Sequence, residues 1–498
     1  MLSMSIIEKR FSAAALIFAE FLLLAIVSTA QETEVLVKIM SPDSVRIEGK
    51  ITTNNSDQSN RNWTFTESIA SVENLGARRS EFNLSSEQNR PVSFKKLADG
   101  AYLADEEASF FHYRVDLKPL ENVNAMAHVS WLSNEQGFLR LDDLLPHFAA
   151  GNQPFQARIK FDLPAGWKIV SNEQSIGENV FRVKNVEKAI FLVGKNWREQ
   201  EIQSGKTTLN LVISGEWQFS DAEALKISGE IFEEYRKLFG EVPAEKAQIF
   251  LMRFPREIKF GRWAAETRGG NLIVLSGDMP FKTQSIQRLH EQLRHELFHL
   301  WMPNNLALKG NYDWFYEGFT IYQALRTGIS MNQIRFEDFL DTLAQAYNLD
   351  NQREVKTSLI ESSKNRWNGE NKQVYARGML TAFLCDVALL RESKGKRSIS
   401  TIFSDIYRKH RASNQPEDGN TAILKILKSY SELDPIIEKY ITGDQKINLE
   451  TDSESAGIEV KEENSVDRLT VKTKLTGRQK DLLDKLGYNN WRKISGRQ

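Results

Sequence analysis

Apolar and polar positions alternate along much of the first 215 residues. The runs Phe110-Phe111-His112-Tyr113-Arg114-Val115, Phe155-Gln156-Ala157-Arg158-Ile159-Lys160-Phe161 and Leu209-Asn210-Leu211-Val212-Ile213 are examples. A period of two predicts strands whose sheets have one wet face. Turn-forming residues separate them at Asp99-Gly100, Pro164-Ala165-Gly166 and Ser204-Gly205. Near Asp221 the period changes. Ala222 to Phe239 predicts an amphipathic helix closed by Gly240 and Pro243, followed by strands at Ala247–Met252 and Leu272–Leu275. From Ser285 to the mid-440s the pattern is helical. The predicted helices are Ser285–Trp301, Asp313–Arg326 with Gly328 beyond it, Glu337–Tyr347, Gln373–Glu392, Ile399–His410, Ala422–Ser429 and one opened by Asp434-Pro435 and closed by Gly443. The chain then turns polar at 450–455, with a short strand at Leu469–Val471 and a short helix at Gln479–Leu486. The pattern divides the chain into a leading segment 1–30, an all-β region 31–215 of sandwich or saddle form, a small sheet with a helical bundle at 216–445, and a polar appendage at 446–498. The fold class is α+β.

At 498 residues the chain exceeds what one core organises. Its formal net charge of −1 gives no basic field of the kind that binds nucleic acid. The leading segment changes the picture more. Lys9 and Arg10 precede an apolar run from Phe11 to Val27 and then Ser28-Thr29-Ala30, the three parts of a secretory signal peptide. Cleavage after Ala30 would export the chain to the periplasm or the medium. An uncleaved segment would tether it to a membrane, at the cost of burying Glu20 in lipid. No other stretch reads as long and apolar enough to span. The single cysteine, Cys385, rules out an intrachain disulfide. Its neighbours Phe383, Leu384, Val387 and Ala388 make it a core residue rather than a nucleophile.

The candidate chemistry lies in His295-Glu296-Leu297-Phe298-His299. Histidines four apart share one face of a helix and can grip one metal ion. Glu296 sits too far round the helix to share that ion, but within reach of a water beside it, where a general base belongs. On a helical wheel, Ile286, Leu289, Leu293, Leu297 and Leu300 form a seam about 80° wide. His295 and His299 lie opposite that seam and His290 beside it, so His290 is left out of the site. A third ligand is needed, and Glu317 stands eighteen residues after His299 among Trp314, Phe315, Phe319 and Ile321. An acid in so apolar a setting needs a partner. Two imidazoles and one carboxylate leave a fourth position open, as catalytic zinc requires.

Arg294-His295-Glu296-Leu297-Phe298-His299-Leu300-Trp301 followed by Trp314-Phe315-Tyr316-Glu317-Gly318-Phe319-Thr320-Ile321-Tyr322 resembles the glycyl aminopeptidase family of zinc metallopeptidases. That family belongs with the gluzincins, relatives of aminopeptidase N and the leukotriene hydrolases. The resemblance implies a thermolysin-like catalytic domain, one zinc ion held by His295, His299 and Glu317, Glu296 as base, and a peptide or protein substrate. Val374-Tyr375-Ala376-Arg377-Gly378 resembles the family's tyrosine segment and implies Tyr375 as a hydrogen-bond donor to the oxyanion. Ala264-Ala265-Glu266-Thr267-Arg268 resembles the segment that precedes an edge strand, and implies that Glu266 binds a substrate's free amino group, making the activity that of an aminopeptidase. The alternative is a non-catalytic peptide-binding or envelope-assembly protein on the same fold.

Overall fold

The computed structural model describes residues 33–51, 61–147, 155–242, 244–411 and 415–490. The leading segment 1–30, on which the export signal is expected, and Pro243 lie outside them. An eight-stranded sheet opens the described chain. Its order is Gln174–Gly177, Val180–Val183, Ala157–Asp162, Thr33–Ser41, Ser44–Lys50, Phe110–Asp116, Arg79–Ser85 and Pro91–Val92. Thr33–Ser41 pairs in parallel with Ala157–Asp162, setting Val35 opposite Ile159 and Val37 opposite Phe161. These four side chains are buried, as the alternation predicts.

A four-stranded sheet (Lys168–Val170, Ile190–Gly194, Gln136–Arg140, Trp131–Leu132) packs behind it. Leu139, Phe191 and Val193 join the core of the large sheet. Phe138, Ile190 and Leu192 face the other way, onto Val212, Phe250, Met252 and Ile273 of a third sheet. Covered on both sides, Ile190–Gly194 is buried at every residue.

The third sheet has the order Trp197–Ser204, Thr207–Ser214, Lys246–Met252, Asn271–Ser276, Trp263–Arg268. The hairpin Trp197–Ser214, which the pattern groups with the β region, is hydrogen-bonded into this sheet. Leu209, Leu211 and Ile213 meet the helices on its far face. Trp263–Arg268 pairs only with Asn271–Ser276 among the described strands, so it forms the sheet's edge.

The helices stand close to their expected places: Asp221–Phe239, Lys282–Phe298, Thr320–Ser330, Phe336–Asn351, Asn371–Glu392, Ile399–His410 and Gly419–Leu427. Two local expectations are corrected. Gly328 does not end its helix but lies inside it, where a Cβ would stand 2.9 Å from the Arg294 guanidinium. Asn371–Glu392 is long and apolar enough to span a membrane by composition, yet it is the buried central helix of the bundle. The polar tail is docked: Leu469, Leu482, Leu483 and Leu486 are buried in the helical core. Asn348 clamps its hairpin, donating to Asp467 O (2.7 Å) and accepting from Asp467 N (3.0 Å).

Candidate metal centre and active site

Lys282–Phe298 buries Leu289, Leu293 and Leu297 in the bundle core, at 2 %, 1 % and 0 % exposure. Its last turn is pinned by Phe298 against Phe239 and Phe403, and by Trp301, whose Nε1 donates to Gly240 O (3.1 Å). With the leucine seam facing the core, His295 and His299 turn into a cavity of about 840 Å³ between the β region and the bundle. His290 stays on the inner side, its Nδ1 3.0 Å from Arg294 Nη1. Burial and that guanidinium push its pKa down to about 3.

Glu317 lies in Trp314–Phe319, a π-helical turn that leads into Thr320–Ser330. The extra residue of such a turn re-aims side chains, and such turns recur at functional sites. Gly318 on this turn meets Gly378 of Asn371–Glu392 backbone to backbone. A Cβ on Gly318 would stand 2.6 Å from the Gly378 Cα. This close approach sets Glu317 and Tyr375 side by side over the histidines.

His295 Nε2 lies 3.1 Å from Glu317 Oε2 and 3.1 Å from His299 Nε2, and His299 Nε2 lies 3.6 Å from Glu317 Oε2. Among the described residues, one group of three His, Cys, Asp or Glu side chains has donor atoms converging in this way, and all three members are buried. His299 Nδ1 donates to Met302 O (2.7 Å), so a neutral His299 turns an Nε2 lone pair toward two other electron-rich atoms. Three buried donor atoms converging this closely fit a cation between them. Tetrahedral ligands about 2.0–2.2 Å from zinc stand roughly 3.3–3.6 Å apart, close to the spacings here.

Glu296, outside this group, is 4 % exposed. The Thr267 hydroxyl lies 2.8 Å from its Oε2 and 2.9 Å from its backbone oxygen, tying it to the edge strand. Burial raises its pKa, against the pull of His295 and His299. Asn304 fastens the same strand to the histidine turn, donating to Thr267 O and His299 O (both 2.9 Å) and accepting from Gly269 N (3.1 Å).

Tyr375 lies beside His295, ring centroids 6.3 Å apart. Burial and the neighbouring Glu317 hold its phenol well above the usual range, so it keeps its proton. Arg366 Nη2 donates to the Tyr375 oxygen (2.9 Å), and Arg366 Nη1 lies 2.7 Å from Asp313 Oδ1 and 3.2 Å from Glu317 Oε1. One buried guanidinium thereby braces both the third ligand and the phenol. Glu266 lines the cavity from the edge strand, but Arg140, His128 and Arg268 surround its carboxylate.

No protein-family model matches the chain, and no curated protein matches it in sequence. Solved structures do match. An aminopeptidase N family protein from Idiomarina loihiensis superposes with a TM-score of 0.74 at 16 % identity, over 90 % of this chain and 82 % of its own. An M1 zinc metallopeptidase from Deinococcus radiodurans does so at 0.55 and 12 %, over 84 % and 94 %. A glutamate-to-alanine mutant of that enzyme bound to a Tyr-Ser-Ala substrate gives 0.55 and 12 %, over 84 % and 95 %. The chain has the fold of the M1 zinc metallopeptidases. On that metallopeptidase fold, the five side chains His295, Glu296, His299, Glu317 and Tyr375 line one cavity together. Glu266 lines the same cavity. Thr267, Asn304, Arg366, Arg140 and His128 are the residues that sequence reasoning did not find. Pro303-Asn304 carries a turn signal but no hint of its role, and the others act on residues far along the chain.

Proposed function

We propose that the protein is a zinc-dependent peptidase. The reading rests on one observation above others: the donor atoms of His295, His299 and Glu317 meet within 3.1–3.6 Å, with an acid and a phenol in attendance. When bound, zinc would polarise the scissile carbonyl and make a water acidic enough to attack near neutral pH.

The chain's own groups supply the rest. Glu296, steadied by the Thr267 hydroxyl, takes a proton from the attacking water at a carboxylate oxygen. As the carbon–oxygen bond forms and the carbon–nitrogen bond breaks, it hands that proton to the leaving amine. Tyr375 donates to the oxyanion, its oxygen held in place by Arg366 Nη2. The edge strand Trp263–Arg268 lies along the cavity, and its outer backbone groups suit pairing with an extended peptide. The signal-like segment at 9–30 supports work outside the cytoplasm, as a periplasmic or secreted protein.

The test is metal analysis joined to a peptide digest. Purified protein should carry zinc and cut a mixed peptide library, and a chelator should stop the cutting. A well-folded protein that takes up no zinc with His295 and His299 intact would refute the site.

A further inference from the structure

Among the described residues, the two most exposed phenylalanines are Phe260, at 71 %, and Phe281, at 67 %. They stand on neighbouring loops. Phe260 belongs to the connection between Lys246–Met252 and Trp263–Arg268, and Phe281 to the connection between Asn271–Ser276 and Lys282–Phe298. Both loops leave parallel strands at the same end of the third sheet. Their backbones are stitched together: Gly261 N donates to Gly277 O (3.0 Å) and Asp278 O (3.1 Å), and Gly277 N donates to Arg262 O (2.8 Å).

Neither loop is slack. The Asp278 carboxylate accepts from Gln218 N (2.9 Å), Met279 N (2.7 Å) and the Ser285 hydroxyl. Ile258 turns inward, against Gly277 and the core beneath the sheet. A loop that sends Ile258 in and Phe260 out presents that ring from a fixed base. Single exposed apolar side chains are ordinary. Two aromatic rings on loops fastened to each other make a surface to be covered.

The surrounding charge points to what covers it. Arg256 pairs with Glu121 (3.1 Å) and Lys282 with Glu223 (2.8 Å). Lys259 and Arg262, on either side of Phe260 and both exposed, form no ion pair among the described residues. From 256 to 262, Arg256, Lys259 and Arg262 stand with one carboxylate, Glu257. The same three cations line an open hollow of about 670 Å³, together with Glu121, Glu257, Asn122 and Asn124. The chain as a whole carries a formal −1 and has no general pull toward an anionic surface, so a pull at this place is local and orients the molecule. Aromatic rings beside unpaired cations suit an interfacial anchor: the rings enter the acyl boundary while Lys and Arg stay among anionic headgroups. Protein interfaces, by contrast, deplete lysine.

We propose that this end of the third sheet docks on an anionic membrane surface, with Phe260 and Phe281 in the acyl boundary and Lys259 and Arg262 at the headgroups. Trp263, next after Arg262, lines the cavity, and Asn122 and Asn124 line both the cavity and the hollow. Docking therefore brings one end of the cavity to the lipid. It is independent of the peptidase reading.

The experiment is sedimentation of the full chain with vesicles of phosphatidylcholine alone and of phosphatidylcholine with about one third phosphatidylglycerol. Any pull from segment 1–30 is common to every protein compared, so the readouts are the ratio of anionic to neutral binding and its change on substitution. The wild type should favour the anionic vesicles by roughly 30-fold, and less as salt rises. Lys259→Gln/Arg262→Gln should bring that ratio near one. Phe260→Ser/Phe281→Ser, with an unchanged melting temperature, should weaken binding to the anionic vesicles by roughly tenfold or more. Equal binding of the two vesicle types by the wild type, or anionic binding unchanged in either variant, would overturn the proposal. So would a wild type that is dimeric by light scattering beside a monomeric Phe260→Ser/Phe281→Ser protein, since a second copy would then be covering the rings.

Discussion

At the scale of single residues, the site separates into groups that touch the reaction and groups that hold them. Tyr375→Phe removes the proposed oxyanion donor and should lower kcat by about 10²–10³ with little change in KM. Arg366→Lys keeps a positive charge but cannot span Asp313, Glu317 and the Tyr375 oxygen together. With zinc content matched between the proteins, so that its contact with Glu317 is controlled for, it should lower kcat by less than Tyr375→Phe, and the double variant should lose little beyond the Tyr375 change alone, since the phenol it orients is then already gone. Steady-state kinetics on the three variants checks this; fully additive losses would mean Arg366 does not work through Tyr375. The groups that the fold brings together at the cavity were legible in the sequence because the proposed chemistry fixes short spacings. The histidines must lie one turn apart, and the third ligand must follow on a returning helix. Arg366, Thr267 and Arg140 were not legible, because each reaches its partner across a distance that only the folded chain closes. Glu266 shows the same limit: its segment could be recognised, but not the guanidinium 126 positions away that pairs with it.

At the scale of elements, the decisive contact is Gly318 against Gly378. Neither position has room for a Cβ, and the contact fixes where Glu317 and Tyr375 stand. Gly318→Ala should cost about 1–3 kcal/mol of stability through overpacking and should weaken zinc retention as Glu317 is pushed aside. Thermal melting and zinc content of the dialysed protein would check it, and unchanged values for both would contradict the role given to this contact. Both glycines stood inside recognised motifs, yet only the packing shows what they are for. The strand patterns and the bundle were legible from their periods. The edge strand Trp263–Arg268 was not read as a strand in its own right: of its last four residues three are polar, because they serve the cavity rather than a core. The docked tail escaped for a related reason. Its few leucines reach the core from a largely polar segment.

At the scale of the whole molecule, the three largest sheets among the described residues and a bundle lie in layers, and the cavity forms where the β region meets the bundle. One buried cluster ties the β region together. Asp143 is fully buried, pairs with Arg78 and accepts from Ser130 N (2.7 Å). Burial alone would raise its pKa, but Arg78 and Arg79 outweigh that and lower it below the ordinary 3.8. A carboxylate with a depressed folded pKa adds stability that is whole above the unfolded value and is lost as pH falls below 3.8 toward the folded one. Asp143→Asn should therefore lower Tm at neutral pH, by the equivalent of about 3–5 kcal/mol for a broken buried pair. The gap to the wild type should narrow as the medium is acidified through that window. A gap that widens instead would reverse the assigned sign. The central claim concerns the other charged cluster, at the metal centre, and one comparison tests it most directly: peptide-library hydrolysis by wild-type and Glu296→Gln proteins, each verified to hold zinc. The account predicts cutting by the wild type that a chelator abolishes, and a Glu296→Gln protein that keeps its zinc while its rate falls by about 10²–10⁴. Hydrolysis by the Glu296→Gln protein at the wild-type rate would contradict it.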